Sequence, residues 1–250
     1  MDGGKAQPTS LVARTLDVLG AFDSSHRHLT LSLIAQRAGL SPATALRIVR
    51  ELVAGEALVR GEDRTYSVGR RIWDLGLLAP VETDLRAAAS PYLQDVHAAT
   101  RATVHLAIRE GYSALYLERL AGLASVPVVS RVGGRLPLYA TGVGKVLLAH
   151  APDEVVKTVI RNLTPHTPHT VTSPGTLLRQ LARIRSEDHA TTQEEMTWGA
   201  CSLAVPIRSG TQVVAAIGVV VKDFRRDKAR LLAALTVVSR AVGRSLNDTP

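Results

Sequence analysis

Near its start the chain carries apolar residues at the three- and four-residue spacing of a helix. From Ser10 to about Phe22 these positions are Val12, Leu16, Leu19 and Phe22. A polar run ends the pattern, and apolar positions return over residues 31–38, which predicts a second, short helix. We expect Thr30 or Ser32 to cap that helix and Gly39 to end it.

A third helix and a hairpin are predicted next. Ser41 is placed to cap the helix, and Pro42 falls in its first turn, where a missing N–H costs nothing. Gly55 stops the helix, and two short strand-like runs, 57–60 and 64–68, then flank a polar turn. Helix, glycine turn, helix and hairpin in this order predict a winged helix-turn-helix.

The linker to the rest of the chain is predicted to be helical. Apolar residues keep helical spacing over residues 69–79, and Pro80 then breaks the pattern. We therefore expect a winged helix-turn-helix domain over residues 1–68, a linker helix over 69–80 and a second domain over 81–250.

Strand-like and helix-like stretches alternate in this second domain. The predicted strands are 103–109, 113–118, 125–131, 202–207 and 213–221. The predicted helices are 82–99, 141–150, 152–160, 174–186 and 225–246. Several strands are joined by tight turns, which favours an antiparallel sheet flanked by helices and hence an α+β fold class.

The second helix of the predicted motif carries the candidate DNA contacts. Its inner face is expected to comprise Leu46, Val49, Leu52 and Val53. The candidate contacts are Ser41, Ala43, Thr44, Arg47 and Arg50, together with Arg60 and Arg64 on the wing. Arg47 suits a guanine edge, and Thr44 with Ala43 suits a thymine methyl group or a phosphate. The alternative is a purely structural three-helix unit with solvated arginines, but the adjoining arginine-bearing hairpin favours DNA binding.

The charge balance points weakly in the same direction. The net charge is +8 and the pI about 10.1, which favours a polyanionic partner. However, residues 1–80 contain ten Lys and Arg against eight Asp and Glu, so the excess lies mainly elsewhere. The 25 arginines against five lysines suit phosphate and guanine, although genome composition explains that bias equally well.

Five motifs carry a family resemblance. They are RTLDVL at 14–19, LSLIAQRAGLSPATALR at 31–47, YSVGR at 66–70, GRLPLYATGVGKVLLA at 134–149 and EEMTWGACSLAVP at 194–206. Together they resemble the isocitrate lyase regulator (IclR) family of bacterial transcription factors over nearly the whole chain. The resemblance implies a GAF-like effector-binding domain, a homodimer or dimer of dimers, and binding to short palindromic operators. Both repressors and activators occur in such a family.

The glycine-rich segment is a candidate ligand site. Thr141 is placed to cap a helix whose first turn, residues 142–144, leaves room for a ligand to approach free N–H groups. A carboxylate or another electron-rich group is favoured there. A phosphate loop is excluded, because Val146 follows Lys145 where Ser or Thr should bind magnesium. The alternative is that the glycines serve tight packing only.

The resemblance also implies the lining of an effector pocket over this turn. The positions that match are Ser125, Val128, Gly142, Val143, Thr192, Ala200, Ser202, Gly218 and Val220. Members that bind small oxo-acids have Asp in place of Thr192, Cys in place of Ser202, and hydroxyl side chains in place of Gly218 and Val220. We therefore expect a less polar, roomier pocket and an aromatic acid, amide or hydrazide as effector. A slip of one residue in the match would place Cys201 in the pocket instead of Ser202.

Catalysis and metal or cofactor binding are not expected. Ser202 lacks a Gly-x-Ser-x-Gly setting, and His166 and His169 lack a cysteine or a spaced carboxylate. Glu194 and Glu195 are adjacent, so on a strand they face opposite sides and do not form a working pair. The alternative function is an enzyme or sensor that uses a helix-turn-helix only for dimerisation.

The expected location is the cytoplasm. Cys201 is the single cysteine, the first residues lack the apolar core of a signal peptide, and no apolar run is long enough to cross a membrane. We expect two chains to pair through their N-terminal domains, which would set two recognition helices about one turn of DNA apart. Repression is the default expectation, because it needs only occupancy of the promoter.

Overall fold

The computed structural model describes residues 10–23, 25–78, 82–122, 126–224 and 227–247. The chain divides into two compact units, Met1–Val81 and Glu82–Pro250. Each unit has its own hydrophobic core. The fold class is α+β, as the sequence predicts. No helix within the described ranges is long and apolar enough to cross a membrane.

The N-terminal unit contains three helices, a hairpin and a fourth helix. They are α1 (Leu11–Gly20), α2 (Leu31–Arg37), α3 (Pro42–Ala54), β1 (Leu58–Arg60), β2 (Tyr66–Val68) and α4 (Arg70–Leu77). The two strands are antiparallel, and an isolated bridge joins Leu29 to Tyr66. This is the predicted winged helix-turn-helix, in which α3 is the second helix of the motif and β1–β2 is the wing.

The predicted helix boundaries are confirmed by their caps. The hydroxyl of Thr30, not that of Ser32, accepts a hydrogen bond from the N–H of Leu33 and begins α2. Gly39 follows α2 with a φ of 64°, a left-handed conformation that glycine adopts without strain. The Ser41 hydroxyl accepts from the N–H of Thr44 at 3.3 Å and begins α3. Local capping chemistry thus sets the turn between the two helices.

The predicted inner face of α3 is confirmed in part. Val49 is buried, and Leu52 and Val53 pack half-buried against the same core. The buried Ala45 and Ile48 were not predicted, and Leu46 is only half-buried. Residue 48 follows residue 45 by three positions and Val49 follows it by four, so the three side chains lie on one side of the helix. This side packs against the core that contains Val18 and Ile34.

The linker helix is α4, which is slightly shorter than predicted. It ends at Leu77, and Ala79 and Pro80 lie outside the described residues. None of its side chains is buried within the described structure, and Trp73 and Leu77 are more than half exposed.

The C-terminal unit is built on one six-stranded antiparallel sheet. Its strands are β3 (Thr103–Glu110), β4 (Ser113–Leu120), β5 (Arg135–Pro137), β6 (Ala190–Gln193), β7 (Cys201–Ser209) and β8 (Gln212–Val221). They lie in the order β5-β4-β3-β8-β7-β6, so β3 and β8 occupy the centre. Both central strands have a hydrogen-bonded neighbour on each side and are largely buried.

Helices cover both faces of this sheet. They are α5 (Thr83–Thr100), α6 (Gly142–Ala149), α7 (Asp153–Arg161), α8 (Pro174–Glu187) and α9 (Lys228–Asn247). Helices α5 and α9 pack on one face, with Leu93, Leu106 and Leu235 in their core. Helices α6, α7 and α8 contribute to the core on the other face, with Val146 and Leu181. The predicted start of α9 at Arg225 lies outside the described residues.

The predicted strand at 125–131 is wrong over its described part, because residues 126–131 form no strand. Pro127 has no N–H to give to a ladder, and the edge of β4 pairs with β5 instead. Sequence analysis missed both β5 and β6. The strand assumed for Glu194 and Glu195 is also wrong, since β6 ends at Gln193 and Glu194 adopts a left-handed φ of 55°.

Candidate DNA-binding surface and effector cavity

The candidate DNA contacts on α3 lie at its start and along its outer side. Ser41, Ala43, Arg47 and Arg50 are exposed, and Thr44 is half-buried. The hydroxyls of Ser41 and Thr44 lie 2.9 Å apart, so the cap also holds the Thr44 side chain in place. The spacing of positions 43, 47 and 50 keeps them on one side of the helix.

The arginines of this surface are free. Within the described part of the chain, the guanidinium groups of Arg47, Arg50, Arg60 and Arg64 form no ion pair or hydrogen bond. By contrast, Arg37 beneath them donates to Asp23 at 2.7 Å. Unpaired, solvated cations of this kind exchange their counterions for phosphate groups, which favours binding to a nucleic acid.

Hydrogen bonds within the turn stabilise the conformation of the wing. Asp63 accepts hydrogen bonds from the N–H and the hydroxyl of Thr65, which lower the pKa of the Asp63 carboxyl below its usual value. Arg64 at the tip has a φ of 62°, and both wing arginines are exposed. A protruding hairpin with outward arginines can contact the phosphate backbone beside a groove occupied by a recognition helix.

The predicted effector residues converge on one cavity in the C-terminal unit. Eight of the nine line it, namely Val128, Gly142, Val143, Thr192, Ala200, Ser202, Gly218 and Val220. The ninth, Ser125, lies outside the described residues. The cavity is bounded by the N-terminal end of α6, the face of the sheet beneath it, and the irregular segments around residues 126–130 and 196–200.

The α6 end of the cavity is its polar end. The N–H of Gly142 donates to the Ser202 hydroxyl at 3.1 Å, and that hydroxyl lies 2.6 Å from the hydroxyl of Thr192. The Val143 N–H donates to no described residue. A free N–H at a helix N-terminus, beside two hydroxyls, favours an anionic or electron-rich group. Ser202 lines the cavity, so the one-residue slip towards Cys201 does not occur.

Two glycines let the chain segments approach closely here. A Cβ on Gly142 would lie 2.5 Å from the Ser202 hydroxyl oxygen, and one on Gly218 would lie 3.0 Å from side-chain carbons of Ala204 and Val143. Gly142 therefore brings α6 into hydrogen-bonding distance of the sheet. Gly218 serves packing as well as leaving the floor of the cavity flat.

The cavity is small in this conformation, and its size relative to the pockets of oxo-acid-binding members stays a prediction. The cavity has a volume of about 40 Å³, against roughly 300–1,000 Å³ for typical ligand pockets. Aliphatic side chains, including Val128, Val143 and Met196, take up the space between the sheet and the covering segments. A ring-sized ligand enters only if these segments move outwards.

Three further residues of the cavity lining were not predicted from the sequence. His105, Tyr116 and Ser130 contribute to its wall, with His105 and Tyr116 in edge-to-face contact at 4.9 Å between ring centroids. His105 could have been found from the sequence, because it lies two residues before Ala107 in an apolar strand and so shares the face of the sheet that carries Ala107. Ser130 gave no such signal, because its segment had been assigned to a strand.

The cavity walls carry no formal charge. Burial, reinforced by the positive charge of Arg119, lowers the pKa of His105 to about 3, so its ring is neutral at pH 7. Burial also raises the pKa of Tyr116 to about 12. The described lining residues include no Asp, Glu, Lys or Arg. An acidic ligand would therefore meet dipoles and N–H groups rather than a counterion.

A buried ion pair lies behind the cavity. The Lys145 ammonium on α6 contacts both carboxylate oxygens of Glu195 at 2.6 and 2.7 Å, and the side-chain oxygen of Gln180 at 2.7 Å. Lys145 is 1% exposed. Desolvation lowers the pKa of Lys145 and raises that of Glu195. The pair ties α6 to the segment that carries Met196 into the cavity wall.

The two histidines weighed as metal ligands have separate partners. His166 lies 3.0 Å from the hydroxyl of Tyr139, whereas His169 lies 3.3 Å from Glu194 and beside Trp198. No group of three or more metal-ligating side chains occurs among the residues that the structure describes.

A winged helix-turn-helix with free arginines, joined in one chain to an α+β unit with a cavity at a helix N-terminus, defines the class of DNA-binding transcriptional regulators. The comparison with protein families gives the same class. The model described as the IclR helix-turn-helix domain matches residues 11–61, and the one described as the C-terminal domain of the bacterial transcriptional regulator IclR matches residues 79–246. The chain belongs to the IclR family.

Several relatives and solved structures resemble the chain over most of its length. It is 30% identical to the HTH-type transcriptional regulator XynR of Escherichia coli (strain K12), over 88% of this chain and 89% of XynR. It is 32% identical to the Pca regulon regulatory protein of Pseudomonas putida, over 95% and 82% of the two chains. The crystal structure of an IclR homologue from Microbacterium hydrocarbonoxydans complexed with 4-hydroxybenzoate matches with a TM-score of 0.90 and 34% identity, over 96% of this chain and all of that one. XynR and the Pca regulon regulatory protein are both named as regulators, and the family to which this chain belongs is one of DNA-binding transcriptional regulators.

Proposed function

We propose that this chain is a ligand-responsive repressor of a catabolic operon, and that its affinity for a palindromic operator is changed by a small aromatic acid, amide or hydrazide. The observation that carries the proposal is the polar end of the cavity. The Val143 N–H, which donates to no described residue, meets the hydroxyls of Thr192 and Ser202 there, and much of the remaining wall is apolar. An aromatic ring with one polar end has the matching distribution of surfaces.

The relatives support an aromatic effector over a small oxo-acid. The homologue with a TM-score of 0.90 was crystallised with 4-hydroxybenzoate. In this chain Gly218 and Val220 leave the β8 part of the cavity wall without hydroxyls. A two- or three-carbon oxo-acid would leave that apolar surface uncovered, whereas a ring would bury it.

The proposed DNA contacts lie on α3 and the wing. Arg47 and Thr44 would contact base edges, and Ser41, Arg50, Arg60 and Arg64 would contact phosphates, with Ala43 close to the groove floor. A homodimer or dimer of dimers, located in the cytoplasm, would place two α3 helices on the two half-sites. The division into residues 1–68, 69–80 and 81–250 assigns these roles to separate parts of the chain.

Effector binding would act by shifting a population between two arrangements of the dimer. A ligand can do so only through a difference in its affinity for the two states. Because the cavity is small in this conformation, a ring-sized effector would favour a state in which the segments at 126–130 and 196–200 have moved. Those segments are thus the proposed start of the allosteric change.

The first experiment is thermal unfolding against a panel of aromatic acids, amides, hydrazides, glyoxylate and pyruvate. A compound that binds only the folded state raises the melting temperature by mass action. We expect aromatic acids to raise it and the oxo-acids to leave it unchanged. A rise with glyoxylate or pyruvate alone would contradict the proposed effector class.

Operator binding is then measured with the ligand that gives the largest rise. Arg47→Ala is expected to weaken binding to a selected operator by roughly 10- to 100-fold, the cost of one bidentate base contact. The unfolding temperature should not change, because Arg47 is exposed. Operator affinity that is unaltered in Arg47→Ala would contradict the assignment of α3 as the recognition helix.

A further inference from the structure

The part of the cavity next to β3 carries a second set of polar groups. The Ser130 hydroxyl lies 2.7 Å from Nε2 of His105, and both side chains are buried within the described structure. A neutral histidine ring has one donor and one acceptor, and a serine hydroxyl is both. This pair can therefore exchange hydrogen bonds with a ligand group that also donates and accepts.

Two further polar side-chain atoms, on β3 and β4, have no hydrogen-bond partner among the described residues. Thr103 is fully buried, yet its hydroxyl oxygen forms no hydrogen bond with any described residue, and neither does the buried Nε of Arg119. Thr103 is opposite Val220 and Arg119 is opposite His105 in the sheet, so these side chains project from the cavity face. Unpaired buried polar groups are costly, and these two lie on the face of the sheet that carries His105.

The sheet register separates this second polar set from the first. Ser202 lies on β7 opposite Val220, whereas His105 lies on β3 opposite Gly218. Two strand spacings of about 4.8 Å each, plus a step of two residues along the strand, place the two Cα atoms about 12 Å apart. A benzene ring with groups at opposite ends, hydrogen-bonded at both, covers this span. An unsubstituted aromatic acid held at Ser202 leaves His105 unreached.

We infer that His105 and Ser130 form a second specificity subsite, which hydrogen-bonds a hydroxyl group on the effector ring opposite its acid group. This inference rests on the proposed function, and it narrows the effector class to para-hydroxylated aromatic acids. A phenol hydroxyl both donates and accepts, so it matches the neutral His105–Ser130 pair. A second carboxylate matches this neutral pair less well, and Arg119, whose charge acts on His105, does not line the cavity.

The test measures the affinity of the full chain for four probes by titration calorimetry: benzoate, 4-methylbenzoate, 3-hydroxybenzoate and 4-hydroxybenzoate. The wild type is expected to bind 4-hydroxybenzoate about 10-fold or more tightly than 4-methylbenzoate, because an analogue without the hydroxyl leaves the polar pair unsatisfied. The meta isomer should bind like the methyl compound, since its hydroxyl falls short of His105.

Variants of Ser130 then test whether this residue causes the preference for 4-hydroxybenzoate over 4-methylbenzoate. Ser130→Ala should reduce the ratio of the two para affinities to less than about 3-fold, while binding of 4-methylbenzoate is kept. Ser130→Thr retains a hydroxyl and should keep the preference. The exposed Ser186→Ala is the matched control, because its hydroxyl bonds only the backbone of Arg183 within the described structure. A loss of all binding in Ser130→Ala with a retained fold would indicate a structural role and overturn the assignment.

Two outcomes separate this inference from the proposed function. If all four probes bind the wild type with equal affinity, the second subsite is wrong and the aromatic effector class stands. If none of the four binds the folded wild type, both the subsite and the aromatic effector class are wrong. A para preference that persists in Ser130→Ala and in His105→Phe would likewise overturn the assignment.

Discussion

The DNA-binding surface and the effector cavity use polar groups in opposite ways. On α3 and the wing the arginines are exposed and unpaired, each acting alone from a single local element. In the cavity Thr192 and Ser130 are buried and Ser202 is half-buried, and the hydroxyl of each forms a hydrogen bond with another side chain. The DNA-binding surface can bind a polyanion without rearrangement. In the cavity, by contrast, the polar groups must exchange their internal hydrogen bonds for hydrogen bonds to a ligand.

The polar groups of the two regions therefore contribute differently to folding stability. Exposed cations contribute little to folding, because solvent and salt screen them. Buried polar groups are costly unless they are paired, so their partners stabilise the C-terminal unit strongly. Substitutions on the DNA surface should therefore change binding with little change in stability, and substitutions around the cavity should change both.

The largest effect is expected at the buried ion pair. Lys145→Met leaves the Glu195 carboxylate buried without its counterion, which should lower the free energy of unfolding by about 3–5 kcal/mol. Urea unfolding followed by circular dichroism measures this loss. The matched control is Lys157→Met, which removes an exposed pair with Glu154 and should cost at most about 1 kcal/mol. Equal losses in the two variants would contradict a structural role for the buried pair.

Acidification gives the next largest effect. His105 has a pKa of about 3 in the folded chain against an ordinary value of 6.5, so the unfolded chain takes up a proton first as the pH falls. Stability is fully present above pH 6.5 and is lost progressively towards pH 3, by up to about 1.4 kcal/mol per pH unit. Unfolding free energies at pH 7, 6 and 5 should show this slope, and His105→Phe should flatten it.

An exposed histidine provides the control for that slope. His28→Phe changes a residue on the surface of the N-terminal unit and should leave the pH dependence between 7 and 5 as in the wild type. If the slope of His105→Phe were the same as that of the wild type, the neutral, buried state assigned to His105 would be wrong.

The wing arginines should affect the salt dependence of operator binding. If Arg60 and Arg64 each contact a phosphate, Arg60→Gln/Arg64→Gln should reduce the slope of log affinity against log salt by about 2, since each contact contributes roughly 0.9. Fluorescence anisotropy with operator DNA at several salt concentrations gives the slope. Arg161→Gln/Arg183→Gln removes the same charge from helices of the C-terminal unit and should leave the slope unchanged. Matching slopes in the two double variants would exclude phosphate contacts by the wing.

The smallest effect compares two helix caps. Ser41 caps α3 at the surface and Thr141 caps α6 inside the cavity wall, each accepting a hydrogen bond from an N–H three residues later. Ser41→Ala should cost about 1 kcal/mol of stability. Thr141→Ala should cost more, because it also leaves the Gly144 N–H buried and unpaired. Urea unfolding of the two variants measures the difference, and an equal or larger cost at Ser41 would contradict it.

Local chemistry made the N-terminal unit predictable from the sequence. The caps at Thr30 and Ser41, the left-handed Gly39 and the helical spacing all act over a few residues, so helix boundaries could be deduced without the fold. The exposed arginines of α3 followed from the same periodicity. The inner face was less certain, because Ala45 shows its burial only once the rest of the core is in place.

The cavity was predictable only in part. Eight of its lining residues came from the family resemblance, and the Thr141 cap followed from spacing. Alternation of apolar and polar residues cannot tell a strand from an extended segment such as residues 126–131, which lies over a cavity without a ladder partner. The segment was misassigned for that reason.

By itself, then, the sequence determined the fold class, the winged helix-turn-helix and the helix that begins at Gly142, because short-range caps, turns and periodicity specify them. Only the tertiary structure decided which distant residues meet. His105 pairs with Ser130 across 25 positions, and Lys145 pairs with Glu195 across 50. Such pairs depend on strand order and on burial that excludes water, and neither property is encoded in the spacing of residues along the chain.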